Sequence, residues 1–382
     1  MHTADLTPEQ AFLVLNGLPG MGPVMLRRLL NAFENDPVAV LSARQSALRA
    51  VPRVGPELCK VIGNWPECFD LEKETSLLQR GNVAFIASTA DTYPPLLREL
   101  YDYPIGLYAK GAYRPGLKTI AIVGSRRMTL YGQKVAKRLG YELARLGFCV
   151  VSGLARGIDT AAHEGALEAG GSTAAVLGCG IDIVYPPENV DLYKAVAEKG
   201  VIFSEFRFGT RAGKTTFPMR NRIVSGMSQA TIVVESDLNG GSMITARMAI
   251  EQNRHVFAVP GRIDQAGSRG CHQLIRDGSA ALFTTVDDFL QELSYERQLF
   301  GSLTTPKASA EAGATEENEN WRADLNHDEQ VVYSCFVDGA VLALDEVLQI
   351  TGMTVQAVSA TLLMLELKKK LVKRLDGTFE RF

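Results

Sequence analysis

KTIAIVGSRRMTLYGQKVAKRLGYELARLGFCVVSG, residues 118–153, carries two different periodicities separated by turns. The end runs, KTIAIVGS and FCVVSG, are almost continuously apolar and β-branched, as in strands covered on both faces. Between them, residues 132–147 set Val135, Leu139, Leu143 and Leu146 on one helical stripe. Further runs of the same kind follow at TAAVLGCG, VIFSEF, ATIVVES and HVFAVPG, with helical segments between them. Residues 80–299 therefore predict an α/β domain with an extended Rossmann-like, doubly wound and mostly parallel sheet.

The flanks differ in kind. Residues 1–72 read as short helices, and LPGMGPVMLRRLL (18–30) and VPRVGPELCKVI (51–62) repeat one pattern. Each has an apolar residue, a glycine-bearing turn, an early proline and an apolar-periodic helix. That suits a helix-hairpin-helix or SAM-like domain, whose turns either present N–H groups to a phosphate or serve only as helix starts. Residues 300–327 are rich in Ala, Glu, Asn, Thr and Ser and predict a flexible linker. Residues 328–382 resume apolar periodicity as three helices and a glycine-turned hairpin, the outline of a winged helix. Its segment TVQAVSATLLMLELKKK stands where a recognition helix would be, for DNA readout or for protein contacts.

Composition limits the function. A chain of 382 residues with 46% hydrophobic residues can bury a sizeable core, and its net charge of -3 confines any nucleic-acid surface to a local patch. Six cysteines form no C-x-x-C pair, so neither a zinc site nor a disulfide framework is expected, and Cys149 and Cys179 read as small buried hydrophobes. The N-terminal MHTADLTPEQ has no signal-peptide pattern, and no apolar run approaches the roughly 18 residues of a membrane span. A soluble, cytoplasmic protein is expected.

Within FRFGTRAGKTTFPMRNR, residues 206–222, GKTT resembles a phosphate-binding loop. Only three residues separate Gly209 from Gly213, where the motif needs four. Pro218 also biases Phe217 away from the helical region, so no helix start is expected there. What remains is a concentration of cations, Arg207, Arg211, Lys214, Arg220 and Arg222, with GKTT itself incidental.

Ligands of open α/β sheets bind beyond the carboxyl ends of the strands. Here those ends repeat one chemistry: Gly124, Ser125, Arg126 and Arg127 after one strand, then Gly153, Arg156 and Gly157 after the next. A later strand ends in ESDLNGGSMITA, with Gly240, Gly241, Ser242 and Thr245. Glycines let a backbone approach an anion, helix N-termini direct N–H groups at it, and arginines bind phosphate through forked bonds. An anion groove is expected. No loop fits G-x-G-x-x-G, so no dinucleotide cofactor is expected, and no metal. Asp159, His163, Glu164, Glu205 and Glu235 leave open an enzyme that cleaves nucleotide N-glycosidic bonds, although Asp159 equally suits a helix first turn. A winged-helix regulator is the other alternative.

The ordered series VGSRRMTLYG, SGLARGIDTAAHEGAL, AVLGCGIDIVYPPEN, SEFRFGT, FPMRNRIVSGMS, GGSMITA, VFAVPG and GCHQLIRDGSA closely resembles the DprA/Smf family of DNA-processing proteins. The likeness covers about 93–290. It implies a non-catalytic protein that binds and protects single-stranded DNA, promotes RecA loading in natural transformation and recombination, and forms a dimer through the sheet domain. The family's single-strand pocket falls here on Gly124, Ser125, Arg126 and Arg156, and its Phe-Pro-x-Arg-Asn-Arg motif on Phe217, Pro218, Arg220, Asn221 and Arg222. Phe217 and Tyr185 are candidate base-stacking residues. Two departures stand out: His272 where the family has Asn, and Gly240 where serine is common.

Overall fold

The computed structural model describes residues 6–293, 325–336, 342–368, 370–373 and 378–381. The chain divides into two compact units, Met1–Gly301 and Ser302–Phe382. The expected linker lies almost wholly outside the described residues.

The first unit opens with seven helices: α1 (Pro8–Gly17), α2 (Pro23–Ala32), α3 (Pro37–Ser42), α4 (Gln45–Ala50), α5 (Pro56–Gly63), α6 (Trp65–Cys68) and α7 (Leu71–Gly81). The two repeated patterns fold alike. Each turn is closed by one bond, Met21 N to Leu18 O and Val54 N to Val51 O. The following helices α2 and α5 start at Pro23 and Pro56 behind the N-caps Gly22 and Gly55. Proline is suited to that position because its missing N–H is one the helix would leave unbonded anyway.

A nine-stranded sheet follows, with strands β1 (Ala84–Ala87), β2 (Gly106–Gly111), β3 (Thr119–Val123), β4 (Cys149–Ser152), β5 (Thr173–Leu177), β6 (Val201–Ser204), β7 (Ala230–Val233), β8 (His255–Ala258) and β9 (Ala281–Leu282). Their order is β1-β2-β6-β5-β4-β3-β7-β8-β9. From β6 to β9 every neighbouring pair is parallel, as expected. β1 and β2 add an antiparallel edge that the apolar runs did not disclose.

The helices of this region are α8 (Leu130–Arg145), α9 (Ile158–Glu168), α10 (Val190–Lys199), α11 (Thr216–Gly226), α12 (Gly241–Glu251), α13 (Arg269–Arg276) and α14 (Val286–Glu292). They explain the apolar strands. Along β3, Ile120 and Ile122 pack with α8, α9 and α14, while Ala121 and Val123 pack with α11, α12 and α13. The helical N-terminal part shares a core with the other end of the sheet, where Phe12, Leu15, Leu26 and Ile62 join Ile105, Tyr108 and Ile202.

One expectation is corrected. A helix does start within the GKTTFP stretch, because α11 runs from Thr216 and holds Pro218 in its first turn. There the absent proline N–H has no intrahelical partner to lose, so the preceding residue's bias is overcome at little cost.

The second unit contains α15 (His327–Ser334), α16 (Leu344–Thr351), α17 (Val355–Leu367) and the hairpin of β10 (Leu371–Lys373) with β11 (Phe379–Arg381). Val332, Phe336, Val347, Val358, Leu362 and Leu365 form its core, as a winged helix requires. The outer face of α17 carries Val355, Leu363, Met364 and Leu367, an apolar surface rather than a row of base-reading polar groups. Among the described residues, no single helix is long and apolar enough to cross a membrane.

Candidate functional site

Strand order reverses around β3. The chain steps outward through β4, β5 and β6, then returns to place β7 on the other side. The loops after β3 and β7 therefore separate and leave a crevice at their carboxyl ends. It is a groove of about 500 Å³, lined among others by Gly124–Arg127, Gly153, Lys214, Phe217, Asn221 and Ser236–Ser242.

Close backbone packing builds its floor. Gly157 sits at φ 80, and a β-carbon there would lie 2.2 Å from Ser125 O. That contact lets Ile158 N donate to Ser125 O at 3.2 Å, tying the Gly-Ser-Arg loop to the start of α9. At Gly153 a β-carbon would lie 1.9 Å from Arg220 Nη1. Arg220 is buried, donating to Gly153 O and, at 2.6 Å, to Val176 O. It is a brace beneath the groove more than a cation in it.

The helix N-termini around the groove are not equivalent. At α8 the site is already taken: Glu235 accepts from Thr129 N at 2.9 Å and from Thr129 Oγ1. At α9, Asp159 Oδ2 accepts from Gly153 N at 3.1 Å and Ala155 N at 3.3 Å. Burial raises the Asp159 carboxyl above its ordinary range, and Arg220 opposes that shift. The start of α12 has no such occupant: its N-cap is Gly240, with no side-chain cap. A β-carbon at Gly241 would meet nothing within 4 Å, so protein packing does not demand glycine there. Gly240 does answer to packing, because Ser236 Oγ fills the space a β-carbon would take, at 2.5 Å.

Cations and rings stand along the rim. The Arg126 guanidinium lies 4.8 Å from the centre of the Phe217 ring, which packs on Tyr185 at 5.7 Å. Arg156 is exposed beside this pair and ion-paired with Glu188. An exposed backbone-rich crevice with mobile guanidinium and ammonium groups can hold a chain of phosphates, with rings available for bases.

The structure brings together Gly124, Ser125, Arg126, Arg127, Gly153, Phe217, Arg220, Asn221, Gly240, Gly241, Ser242 and Thr245. Arg156 joins at an adjoining pocket, and Gly157 acts from behind. Arg222 is the exception and does not line the groove. It is buried on the other side of α11, paired with Glu205 Oε1 at 2.5 Å and Asp102 Oδ2 at 3.4 Å. Lys214 enters the groove although GKTT was expected to be incidental, and Asp237, Asn239 and Ile244 join it unforeseen. His272 lies away from the groove, with Nε2 3.0 Å from Gly261 O.

The carboxylates considered for catalysis are engaged in structure, as Glu205, Asp159 and Glu235 show above. His163 is fully buried with Nδ1 2.7 Å from Thr173 Oγ1, and burial, aided by Arg220, pushes its pKa down to about 3.

The family model for DNA recombination-mediator protein A matches residues 84–294, and that for the DprA winged helix domain matches 316–378. Protein Smf of Synechocystis sp. is 36% identical over 304 residues, spanning 77% of this chain and 73% of that protein. The X-ray structure of DNA processing protein A (DprA) from Streptococcus pneumoniae superposes with TM-score 0.66 at 33% identity, covering 75% of this chain and 98% of that one. DNA processing protein A from Helicobacter pylori, whose structure concerns a single-stranded DNA binding mode, gives TM-score 0.51 at 31% identity, covering 56% and 95%.

Proposed function

Because the chain belongs to the DNA recombination-mediator protein A family, we propose that its groove binds single-stranded DNA by the phosphate backbone. One observation carries this: α12 alone among the helices opening on the groove floor starts with glycines and no capping side chain, beside Arg126 and Lys214. Phosphates would lie against the Gly240–Ser242 amides and the two cations, and Phe217 and Tyr185 would stack bases. Such contacts are tolerant of sequence.

The wider role in this proposal is protection of single strands and promotion of RecA loading during natural transformation and recombination. The family resemblance supports that role, a cytoplasmic location, and self-association through the sheet domain. The protein acts here without catalysis, which the engagement of Asp159, His163, Glu205 and Glu235 by backbone and side-chain partners favours. The apolar outer face of α17 favours protein contact over duplex readout by the winged helix.

The test is fluorescence anisotropy of the full chain with oligo-dT and with duplex of equal length, over a salt series. Single strands should bind tighter, with the logarithm of affinity falling by about 0.7 per contacted phosphate for each decade of salt. Preference for duplex, or affinity indifferent to salt, would contradict the proposal.

A further inference from the structure

A second cavity, of about 260 Å³, opens where the first helical hairpin meets the sheet. It is smaller than the roughly 300–1,000 Å³ of sites for drug-sized ligands, and so suits a single ring system. Leu18, Met21, Leu26, Ile105, Phe206 and Met219 give it apolar walls, and its polar groups are few.

One of those groups is poorly satisfied. Glu205 Oε1 receives Arg222 Nη2 at 2.5 Å, but Oε2 is buried and has no hydrogen-bond partner. The side chain is only 9% exposed. Asn16, beside it, donates to the Glu205 backbone oxygen at 3.2 Å rather than to the carboxylate. An acceptor left so in apolar surroundings is unfavourable until a donor reaches it.

The cavity also has a defined relation to the groove. Met219 lines the cavity, whereas Phe217, Pro218 and Asn221 line the groove, so the two flank the first turns of α11. The loop leading into α11 carries Arg207, Arg211 and Lys214, all exposed. Arg207 lines the cavity and Lys214 the groove.

We propose that this hairpin cavity is a second nucleotide subsite for the same DNA strand, taking a base that bears an amino group. The amino group donates to Glu205 Oε2, the apolar walls enclose the ring, and Arg207 meets the adjoining phosphate. Cytosine satisfies the acceptor through its amino group; thymine presents a carbonyl oxygen at the same position and is disfavoured. The inference rests on the groove binding single strands.

The experiment compares oligo-dC and oligo-dT of equal length on the full chain by anisotropy. Oligo-dC should bind roughly tenfold tighter, the scale of one hydrogen bond to a charged group. Met21→Trp fills the cavity without touching the Glu205–Arg222 pair, and with it the two oligonucleotides should bind alike. Equal binding by the unaltered chain, or a preference that survives Met21→Trp, overturns the subsite and leaves the groove standing. Arg126→Ala should weaken both oligonucleotides by the same factor. Undiminished affinity there would instead overturn the groove on which the subsite depends.

Discussion

Replacing Arg126 by alanine separates a phosphate contact from a structural one. The loop bearing Arg126 is held by its backbone, through Ile158 N to Ser125 O, so losing the side chain leaves the loop in place. The guanidinium is exposed and stacked on Phe217 at 4.8 Å, poised over the groove. A hydrogen bond to a charged partner is worth about 1.5–3 kcal/mol, and exposure places this one at the lower end. The expected loss is about 1.5–2 kcal/mol, or roughly 10–30-fold in Kd for oligo-dT. The salt dependence supplies a second and more specific number. Losing one phosphate contact should reduce the slope of log affinity against log salt by about 0.7. Phe217→Ala is the control: it removes stacking worth about 1–3 kcal/mol and should leave the slope nearly intact. Anisotropy titrations at several salt concentrations, with circular dichroism to verify folding, give both quantities. Folded Arg126→Ala protein with unchanged affinity and slope would refute the reasoning.

Arg222→Ala should behave oppositely: breaking its buried pair with Glu205 costs about 3–5 kcal/mol in urea unfolding. The salt slope of the folded protein should remain, and a drop matching that of Arg126→Ala would place Arg222 on the DNA. His163 has a folded pKa of about 3, below its ordinary value, so the unfolded chain binds the extra proton as pH falls. Stability should therefore rise with pH between about 3 and 6.5, and His163→Gln should flatten that limb by up to about 1.4 kcal/mol per pH unit; parallel urea-midpoint curves would contradict this. Gly140→Ala would put a β-carbon 2.2 Å from Ala162 O where α8 crosses α9. Thermal and urea unfolding should report a loss of about 1–3 kcal/mol, and an unchanged midpoint would show that the crossing relaxes freely.

The central sheet was legible because its strands are buried on both faces, so each reads as an apolar run between glycine-rich turns. β1 and β2 were not. They are short, and β2 begins and ends in glycine, so neither alternation nor a long apolar run marks them. The Gly-Ser-Arg loop was equally visible, since its residue types are demanded by backbone approach at a strand end. Arg220 and Arg222 show the limit. Two positions apart on α11, they face different ways, one beneath the groove and one into the Glu205 pair. Nothing in their spelling distinguishes them from an exposed cation. Lys214 was obscured by a motif with the wrong spacing, although the lysine itself stands in the groove. Glu235 and Asp159 look like catalytic carboxylates in sequence; only the fold reveals that they occupy helix N-termini and so leave α12 open.

Hydrogen–deuterium exchange of the full chain, with and without saturating oligo-dT, tests the location of binding most directly. Protection should concentrate in residues 124–127, 153–157, 211–221 and 236–245, the segments that enclose the groove. Protection confined to 344–367 of the winged helix, with those four segments unchanged, would contradict the account.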